Sequence, residues 1–167
     1  MSISVFILTV SDRSASGERA DLSGPALREA VEKLGWTVAG QAIVPDEIDQ
    51  IRAVLLDRSA SGEVNLILTT GGTGFAPRDV TPEATLAVLE KKASGLVELI
   101  RSASAKINAN AYLSRAEAGI CRKTMIINLP GSPKGAVESL LIVASLIPHA
   151  VTLLDDRSGD IHQPATN

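Results

Sequence analysis

The sequence predicts an α/β protein, a three-layer α/β/α sandwich around a mainly parallel sheet. Three apolar runs carry this prediction: residues 3–10, 64–70 and 124–129. They show almost no alternation of apolar and polar residues, which is typical of strands buried on both faces, as in a parallel sheet. Segments with helical patterns separate the runs, and alternating strands and helices favour helices on both faces of one sheet.

Proline and glycine mark the predicted boundaries in the first half of the chain. Pro25 is placed to begin a helix, because proline suits the first turn, and Gly35 ends it. Pro45 ends the second strand, and the helix after it has its apolar residues on one face. The predicted elements in order are strand 3–10, loop 11–24, helix 25–34, strand 36–44, helix 46–58, turn 59–62 and strand 64–70.

Capping signals mark the second half. Thr81-Pro82-Glu83 combines a helix N-cap, a first-turn proline and an acid near the positive end of the helix dipole. Ser132-Pro133 begins a helix by the same logic. The remaining predicted elements are a helix over 95–107, a strand over 124–129 and a last helix after Pro148. We expect one domain, residues 1–155, followed by a loose tail, residues 156–167.

Composition excludes several classes of function. The net charge of −3 and an aromatic content of 2% argue against a nucleic-acid surface. Cys121 is the only cysteine, so an intrachain disulfide is impossible and nothing supports a zinc site. The apolar segment 140–154 is too short and too polar to span a membrane. Residues 1–5 lack a basic region, so we expect a cytoplasmic protein without a secretory signal.

The strongest local motif is Gly71-Gly72-Thr73-Gly74, which directly follows a buried strand. Ligands of open α/β sheets bind outside the carboxyl ends of the strands, and glycines let backbone N–H groups approach phosphate oxygens closely. No Gly-Lys-Ser or Gly-Lys-Thr follows, which excludes a P-loop, and Pro77 stands where a dinucleotide fingerprint needs its third glycine. Taken alone, the motif fits a phosphate cradle and a plain turn equally well.

Two aspartates are predicted at the same edge of the sheet. Asp46 follows the end of a strand, and Asp79 precedes a helix. Two carboxylates beside a phosphate cradle can hold a divalent cation, with water and substrate phosphates completing its shell. Each aspartate alone also suits a helix cap or a turn, and by position alone that alternative is favoured.

A second passage from strand to helix spans residues 128–133. Its free N–H groups at a helix start could bind an anion. A type II turn centred on Pro130 and Gly131 is the alternative interpretation.

Together these segments resemble the molybdopterin adenylyltransferase family, which includes the G domain of gephyrin and its plant counterpart. The similarity runs in order from residue 8 to about 155 and is most specific over residues 69–85, TTGGTGFAPRDVTPEAT. The other matching segments are LTVSDR (8–13), SGP (23–25), VPDE (44–47), YLSR (112–115), AGI (118–120) and NLPGSP (128–133).

The resemblance implies a molybdenum-cofactor-biosynthesis type of fold, assembled as a homotrimer, and a reaction. AMP passes from ATP to the terminal phosphate of molybdopterin, pyrophosphate leaves, and a molybdenum-insertion partner takes the product. Asp46 and Asp79 become the catalytic pair that holds Mg²⁺. The residues implied for nucleotide and phosphate are Gly71, Gly72, Thr73, Gly74, Asn128, Pro130, Gly131 and Ser132. Those implied for molybdopterin are Ser11, Asp12, Ser114 and Arg115.

The chain departs from typical relatives at two places, and two alternative functions stay open. Residues 107–111 replace a proline-containing segment, and residues 121–123 stand where a glycine is frequent. The first alternative is a non-catalytic pterin-binding paralogue, against which the retained Asp46 and Asp79 argue. The second is a stand-alone relative of the molybdenum-insertion domain, against which the short chain and the Arg-Asp-Val-Thr-Pro segment argue.

Overall fold

The computed structural model describes residues 2–155, and strands and helices alternate along most of that range. The strands are β1 (Ser4–Val10), β2 (Thr37–Val44), β3 (Leu66–Thr70), β4 (Lys91–Lys92), β5 (Ala118–Cys121) and β6 (Thr124–Leu129). The α-helices are α1 (Asp12–Ala15), α2 (Ser23–Lys33), α3 (Ile48–Ser61), α4 (Thr81–Leu86), α5 (Ser94–Ala105), α6 (Pro133–Val143) and α7 (Ile147–Asp155). A 3-10 helix covers Ala109–Leu113. The predicted tail, residues 156–167, lies outside the described residues.

The strands form one sheet in the order β2-β1-β3-β6-β5-β4. The first four strands are parallel, and β5 and β4 continue the sheet antiparallel to β6 and to each other. The predicted mainly parallel sheet is therefore confirmed. Because parallel strands end at the same edge, the loops after β1, β2, β3 and β6 lie side by side there.

Side chains alternate between the two faces of the sheet, and each face has its own apolar core. Val5 and Ile7 of β1 pack in one core with residues of α2, α5, α6 and α7. Phe6 and Leu8 pack in the other core with residues of α3. This arrangement confirms the predicted three layers, and it explains why the central strands are apolar on both faces.

Local hydrogen bonds move several boundaries away from the predictions. Helix α2 begins at Ser23, before Pro25, because Asp21 Oδ1 accepts hydrogen bonds from the backbone N–H groups of Ser23 and Gly24. The predicted loop 11–24 contains α1, which Ser11 caps. Helix α3 continues through most of the predicted turn and ends at Gly62, whose φ of 72° is left-handed.

The β5–β6 turn contains Arg122 at a φ of 57°. Arg122 lies within the departure predicted at residues 121–123, and its backbone has the left-handed conformation that glycine adopts without strain. Within residues 2–155, no single helix is long and apolar enough to cross a membrane. Helices α6 and α7 reach that length and composition only as a pair, and they are bent by 65°.

Candidate active site

The carboxyl ends of the four parallel strands meet at a cleft of about 640 Å³. We call it the acidic cleft. The predicted site residues that line it come from the loops after all four strands: Ser11, Asp12, Asp46, Gly71, Gly72, Asp79, Gly131 and Ser132. Residues far apart in the sequence are thus brought together because each lies in a loop that follows a strand end.

Asp12 and Asp46 hold each other in place across the cleft floor. The N–H of Asp12 donates to Asp46 Oδ2 at 2.9 Å, and the N–H of Asp46 donates to Asp12 Oδ1 at 3.0 Å. Arg78 donates two hydrogen bonds of 3.0 Å to the Asp12 carboxylate and one of 2.8 Å to Glu47. The loops after β1, β2 and β3 are therefore tied together by charge-assisted hydrogen bonds.

The two paired aspartates differ in their electrostatics. The hydrogen bonds from Arg78 hold the pKa of Asp12 below its ordinary value. Burial raises the pKa of Asp46, and the negative charges of Asp12 and Asp79 raise it further. The positive charge of Arg78 therefore compensates the negative charge of the ionised Asp12. Asp46, in contrast, is a half-buried carboxylate beside like charges, where a cation would be stabilised.

The glycine loop needs its glycines for space as well as for conformation. A Cβ on Gly71 would collide with the carbonyl oxygen of Val10, and one on Gly74 would lie 2.8 Å from Asp79 Oδ2. Gly72 has a φ of 64°, and a Cβ there would lie 2.8 Å from Asp46 Oδ1. The loop is fixed from below by Thr81, whose hydroxyl donates to the Gly71 carbonyl at 2.9 Å.

The carboxylates fit a divalent cation. Asp46 Oδ2 and Asp79 Oδ2 each accept a backbone hydrogen bond, from Asp12 and Ala76 respectively. Among residues 2–155, no protein donor occupies Oδ1 of either aspartate, so each keeps an oxygen for a ligand. No cluster of three or more His, Cys, Asp or Glu side chains suited to a metal occurs in that part of the chain. Water and substrate oxygens would have to complete the coordination of a bound ion.

A second concave surface of about 750 Å³, which we call the apolar pocket, adjoins the cleft. It lies between α5, α6 and the 3-10 helix, and Ile100, Ile107 and Ile142 line it. Of the predicted site residues, Ser114 and Pro130 line this pocket, and Ser132 lines both surfaces. Ser11 and Asp12, predicted with Ser114 on the molybdopterin side, instead lie in the acidic cleft.

Four predicted site residues line neither surface: Thr73, Gly74, Asn128 and Arg115. Asn128 is 1% exposed, and its side chain accepts from the N–H of Glu117 and donates to the hydroxyls of Thr69 and Thr85. The Arg115 guanidinium donates to Gly74, Asp79 and Glu83. The structure therefore places Asn128 and Arg115 behind the site, holding its walls.

Asp21 and Arg78 also line the acidic cleft, although the sequence predicted no site role for either. Asp21 accepts hydrogen bonds from Thr9 and from the start of α2. Its signal was Asp-Leu-Ser-Gly-Pro, an acid just ahead of a helix start. The signals for Arg78 were its position next to Asp79 and its place in the specific segment 69–85.

Comparisons with known proteins identify the family of the chain. A family model described as "Probable molybdopterin binding domain" matches residues 6–149. The chain is 43% identical over 154 residues to a molybdopterin adenylyltransferase of Helicobacter pylori, covering 91% of this chain and 88% of that protein. It is 46% identical over 156 residues to the molybdenum cofactor synthesis protein cinnamon of Drosophila melanogaster. That match covers 93% of this chain but only 26% of the longer cinnamon protein.

Among solved structures, the molybdopterin biosynthesis enzyme MoaB of Thermus thermophilus superposes with a TM-score of 0.86 at 47% identity. The superposition covers 91% of this chain and 96% of that one. The likeness thus extends over almost the whole of the described fold.

Proposed function

This chain belongs to the family of probable molybdopterin-binding domains, and on that premise we propose that it is a molybdopterin adenylyltransferase. It transfers AMP from ATP to the terminal phosphate of molybdopterin and releases pyrophosphate. One observation carries the proposal: Gly71 and Gly72 of the glycine loop line one cleft together with Asp46 and Asp79. That cleft adjoins an apolar pocket through Ser132. The relative from Helicobacter pylori, named for this activity, aligns with most of the chain.

The two concave surfaces suit the two substrates. The acidic cleft, with its glycine loop and cation-ready aspartates, takes the triphosphate of ATP. The apolar pocket takes the pterin, with Ser114 as a polar contact. The loop over residues 130–133 separates the surfaces, and there the terminal phosphate of molybdopterin meets the α-phosphorus of ATP. Attack by that phosphate oxygen forms the new P–O–P bond, and the bond to the leaving pyrophosphate breaks.

The protein contributes position and charge to this transfer. Little covalent chemistry falls to side chains in a phosphoryl or nucleotidyl transfer, so alignment of the reacting groups dominates. Asp46 and Asp79 would hold Mg²⁺, which supplies neutralisation of phosphate charge when bound. Two N–H groups at this edge are already paired: Gly71 donates to the Leu129 carbonyl and Gly135 to Ser132 Oγ. Among the residues that line the cleft, the N–H groups of Gly72, Gly131 and Ser132 would donate to phosphate oxygens.

A turnover assay tests the proposal directly. Purified protein is incubated with molybdopterin, ATP and Mg²⁺, and adenylylated molybdopterin and pyrophosphate are quantified by mass spectrometry and a coupled assay. We expect both products in equal amounts. Binding of molybdopterin without either product would instead support the non-catalytic paralogue.

We further propose a cytoplasmic homotrimer that passes its product to a molybdenum-insertion protein. Exposed apolar side chains that do not line the apolar pocket support self-association: Leu99, Tyr112, Leu113 and Leu153. The length of cinnamon beyond the aligned part supports a functional link to further domains. Sedimentation at micromolar protein is expected to give three times the chain mass, and a monomer mass would contradict the assembly.

A further inference from the structure

We propose that Arg115 is a positioning residue that holds the Asp79 carboxylate in place for the cation. The inference rests on the proposed function, because it deepens the part played by the metal pair. The family resemblance groups Arg115 with the molybdopterin contacts. Its hydrogen bonds point instead to the back of the glycine loop.

The Arg115 side chain donates hydrogen bonds only to residues between β3 and α4 or in the first turn of α4, among the residues that the structure describes. Nε donates to the Gly74 carbonyl at 2.7 Å, and Nη2 donates to the Asp79 carbonyl at 2.7 Å. Nη1 forms an ion pair with Glu83 in that first turn. The backbone N–H of Arg115 adds a fourth bond, to the Thr73 carbonyl at 2.9 Å. One residue thus joins both ends of the loop that carries Asp79.

These bonds bear on the Asp79 carboxylate because Gly74 and Asp79 are packed against each other. A Cβ on Gly74 would lie 2.8 Å from Asp79 Oδ2, so the loop has no spare room there. Asp79 Oδ2 also accepts the N–H of Ala76 at 3.0 Å, which closes the loop on itself. Fixing the two carbonyls therefore restrains the backbone on both sides of the contact that holds the Asp79 carboxylate.

Hydrogen bonds also hold the backbone on both sides of Arg115. Arg101 on α5 donates from Nη1 to the carbonyls of Ser114 and Ala116, both at 3.1 Å. The residues on either side of Arg115 are therefore anchored to a helix of the sandwich. The Arg115 side chain is 34% exposed, so its hydrogen bonds are partly shielded from water. A planar guanidinium can bond several acceptors at fixed angles, which an ammonium group cannot do.

The test measures metal binding rather than turnover. Mn²⁺ binding to the full chain, without ATP or molybdopterin, is followed by electron paramagnetic resonance for wild type, Arg115→Met and Arg115→Lys. Removing a group that orients a metal ligand typically weakens metal affinity about 10- to 100-fold, and we expect this range for Arg115→Met. Arg115→Lys should lie between it and wild type. Hydrogen exchange at the amides of residues 76 and 79 should accelerate in the same order.

A matched control is Arg52→Met, which removes an exposed arginine whose ion pair with Asp49 is 3.9 Å long. It should leave Mn²⁺ affinity and loop exchange unchanged. Glu83→Gln removes the ion pair but keeps both carbonyl bonds, so it should weaken affinity less than Arg115→Met. If Arg115→Met does not fold, the intermediate Arg115→Lys affinity decides the matter.

Folded Arg115→Met or Arg115→Lys protein with wild-type Mn²⁺ affinity would overturn the inference, as would wild-type protein that binds no Mn²⁺. The proposed function fails separately. If wild type makes no adenylylated molybdopterin while Arg115→Met still loses Mn²⁺ affinity, the activity is wrong and the positioning role of Arg115 is supported.

Discussion

The acidic cleft and the apolar pocket are neighbours built in different ways. The cleft is made of loops that leave the ends of β1, β2, β3 and β6, so the register of the sheet sets its geometry. The pocket lies between α5, α6 and the 3-10 helix, where side-chain packing sets the shape. We infer that the sheet edge positions the reacting phosphates and that the helices recognise the pterin.

The largest expected effect on activity comes from replacing Asp46 or Asp79, the two carboxylates proposed to bind the cation. Asp46→Asn and Asp79→Asn should each reduce adenylyl transfer about 100- to 1,000-fold, the range for removing one preorganised electrostatic group. Asparagine keeps an oxygen that can accept the existing backbone hydrogen bond, so thermal stability should change little. Initial rates at saturating Mg²⁺ and melting curves measure the two quantities.

Asp49→Asn is the control for these variants, because Asp49 lies on α3 near Asp46 but its side chain is 95% exposed. It should retain full activity. Near wild-type turnover in both Asp46→Asn and Asp79→Asn would contradict the assignment of a cation to the acidic cleft. The assignment of ATP phosphates to the cleft and of the pterin to the pocket would then have to be revised.

A smaller effect is expected from Gly72→Ala. The new Cβ would collide with Thr81 Oγ1, whose hydrogen bond to Gly71 fixes the loop, and would lie 2.8 Å from Asp46 Oδ1, so the loop would have to shift. Losing one hydrogen bond of about 1.4 kcal/mol corresponds to a roughly tenfold higher ATP requirement. Stability should also fall, since left-handed backbone costs about 1–2 kcal/mol for a residue with a Cβ.

Gly62→Ala separates these two consequences. Gly62 has a φ of 72°, close to that of Gly72, but no atom lies within 4 Å of the place that its Cβ would take. It should lose melting temperature through backbone strain alone, and so less than Gly72→Ala, with an unchanged ATP requirement. An equal ATP requirement for both alanine variants would make the glycine loop a plain turn.

The same contrast explains how much the sequence could predict. The central strands are continuous apolar runs, and a glycine or proline directly follows β3, β6 and the edge strand β2. Both the parallel sheet and the edge bearing Asp46 and Gly71 were therefore predictable. The antiparallel strands β4 and β5 were missed. They span two and four residues, too few for any periodicity to show.

The supporting residues were beyond sequence reasoning for a different reason. Asn128 and Arg115 sit in matching motifs, but their hydrogen-bond partners are distant in sequence, such as Thr69 for Asn128 and Gly74 for Arg115. A motif indicates that a residue matters at the site. Only the tertiary structure distinguishes a side chain that faces the ligand from one that holds the wall.

Ser114→Ala sharpens the contrast from the pocket side. Ser114 lines the apolar pocket and not the acidic cleft, so its loss should weaken molybdopterin binding and leave ATP binding unchanged. One neutral hydrogen bond is worth about 0.5–1.5 kcal/mol, a roughly two- to tenfold change in affinity. Calorimetric titration with each substrate measures this. Ser61→Ala, on the far end of α3, is the control, and loss of ATP affinity alone would move Ser114 to the nucleotide side.

The smallest expected effect is a difference in pH dependence between the paired aspartates of the cleft. The pKa of Asp46 is raised in the folded protein, so below that pKa the folded state binds more protons than the unfolded state. The stability of wild type relative to Asp46→Asn should therefore rise as pH falls through the raised pKa, and level off below the ordinary value of 3.8.

Asp12 should show the opposite sign. Arg78 lowers its pKa, so the stability that the Asp12 carboxylate contributes is present above 3.8 and is lost as pH falls through the lowered value. The stability of wild type relative to Asp12→Asn should decline over that more acidic window. The Asp12 difference should be small, because an ion pair exposed to solvent contributes little. Urea unfolding across the acidic range, without divalent metal, measures both curves. Curves of the same sign would mean that Arg78 does not neutralise Asp12 in preference to Asp46, and the cleft would lose the asymmetry that leaves Asp46 for a cation.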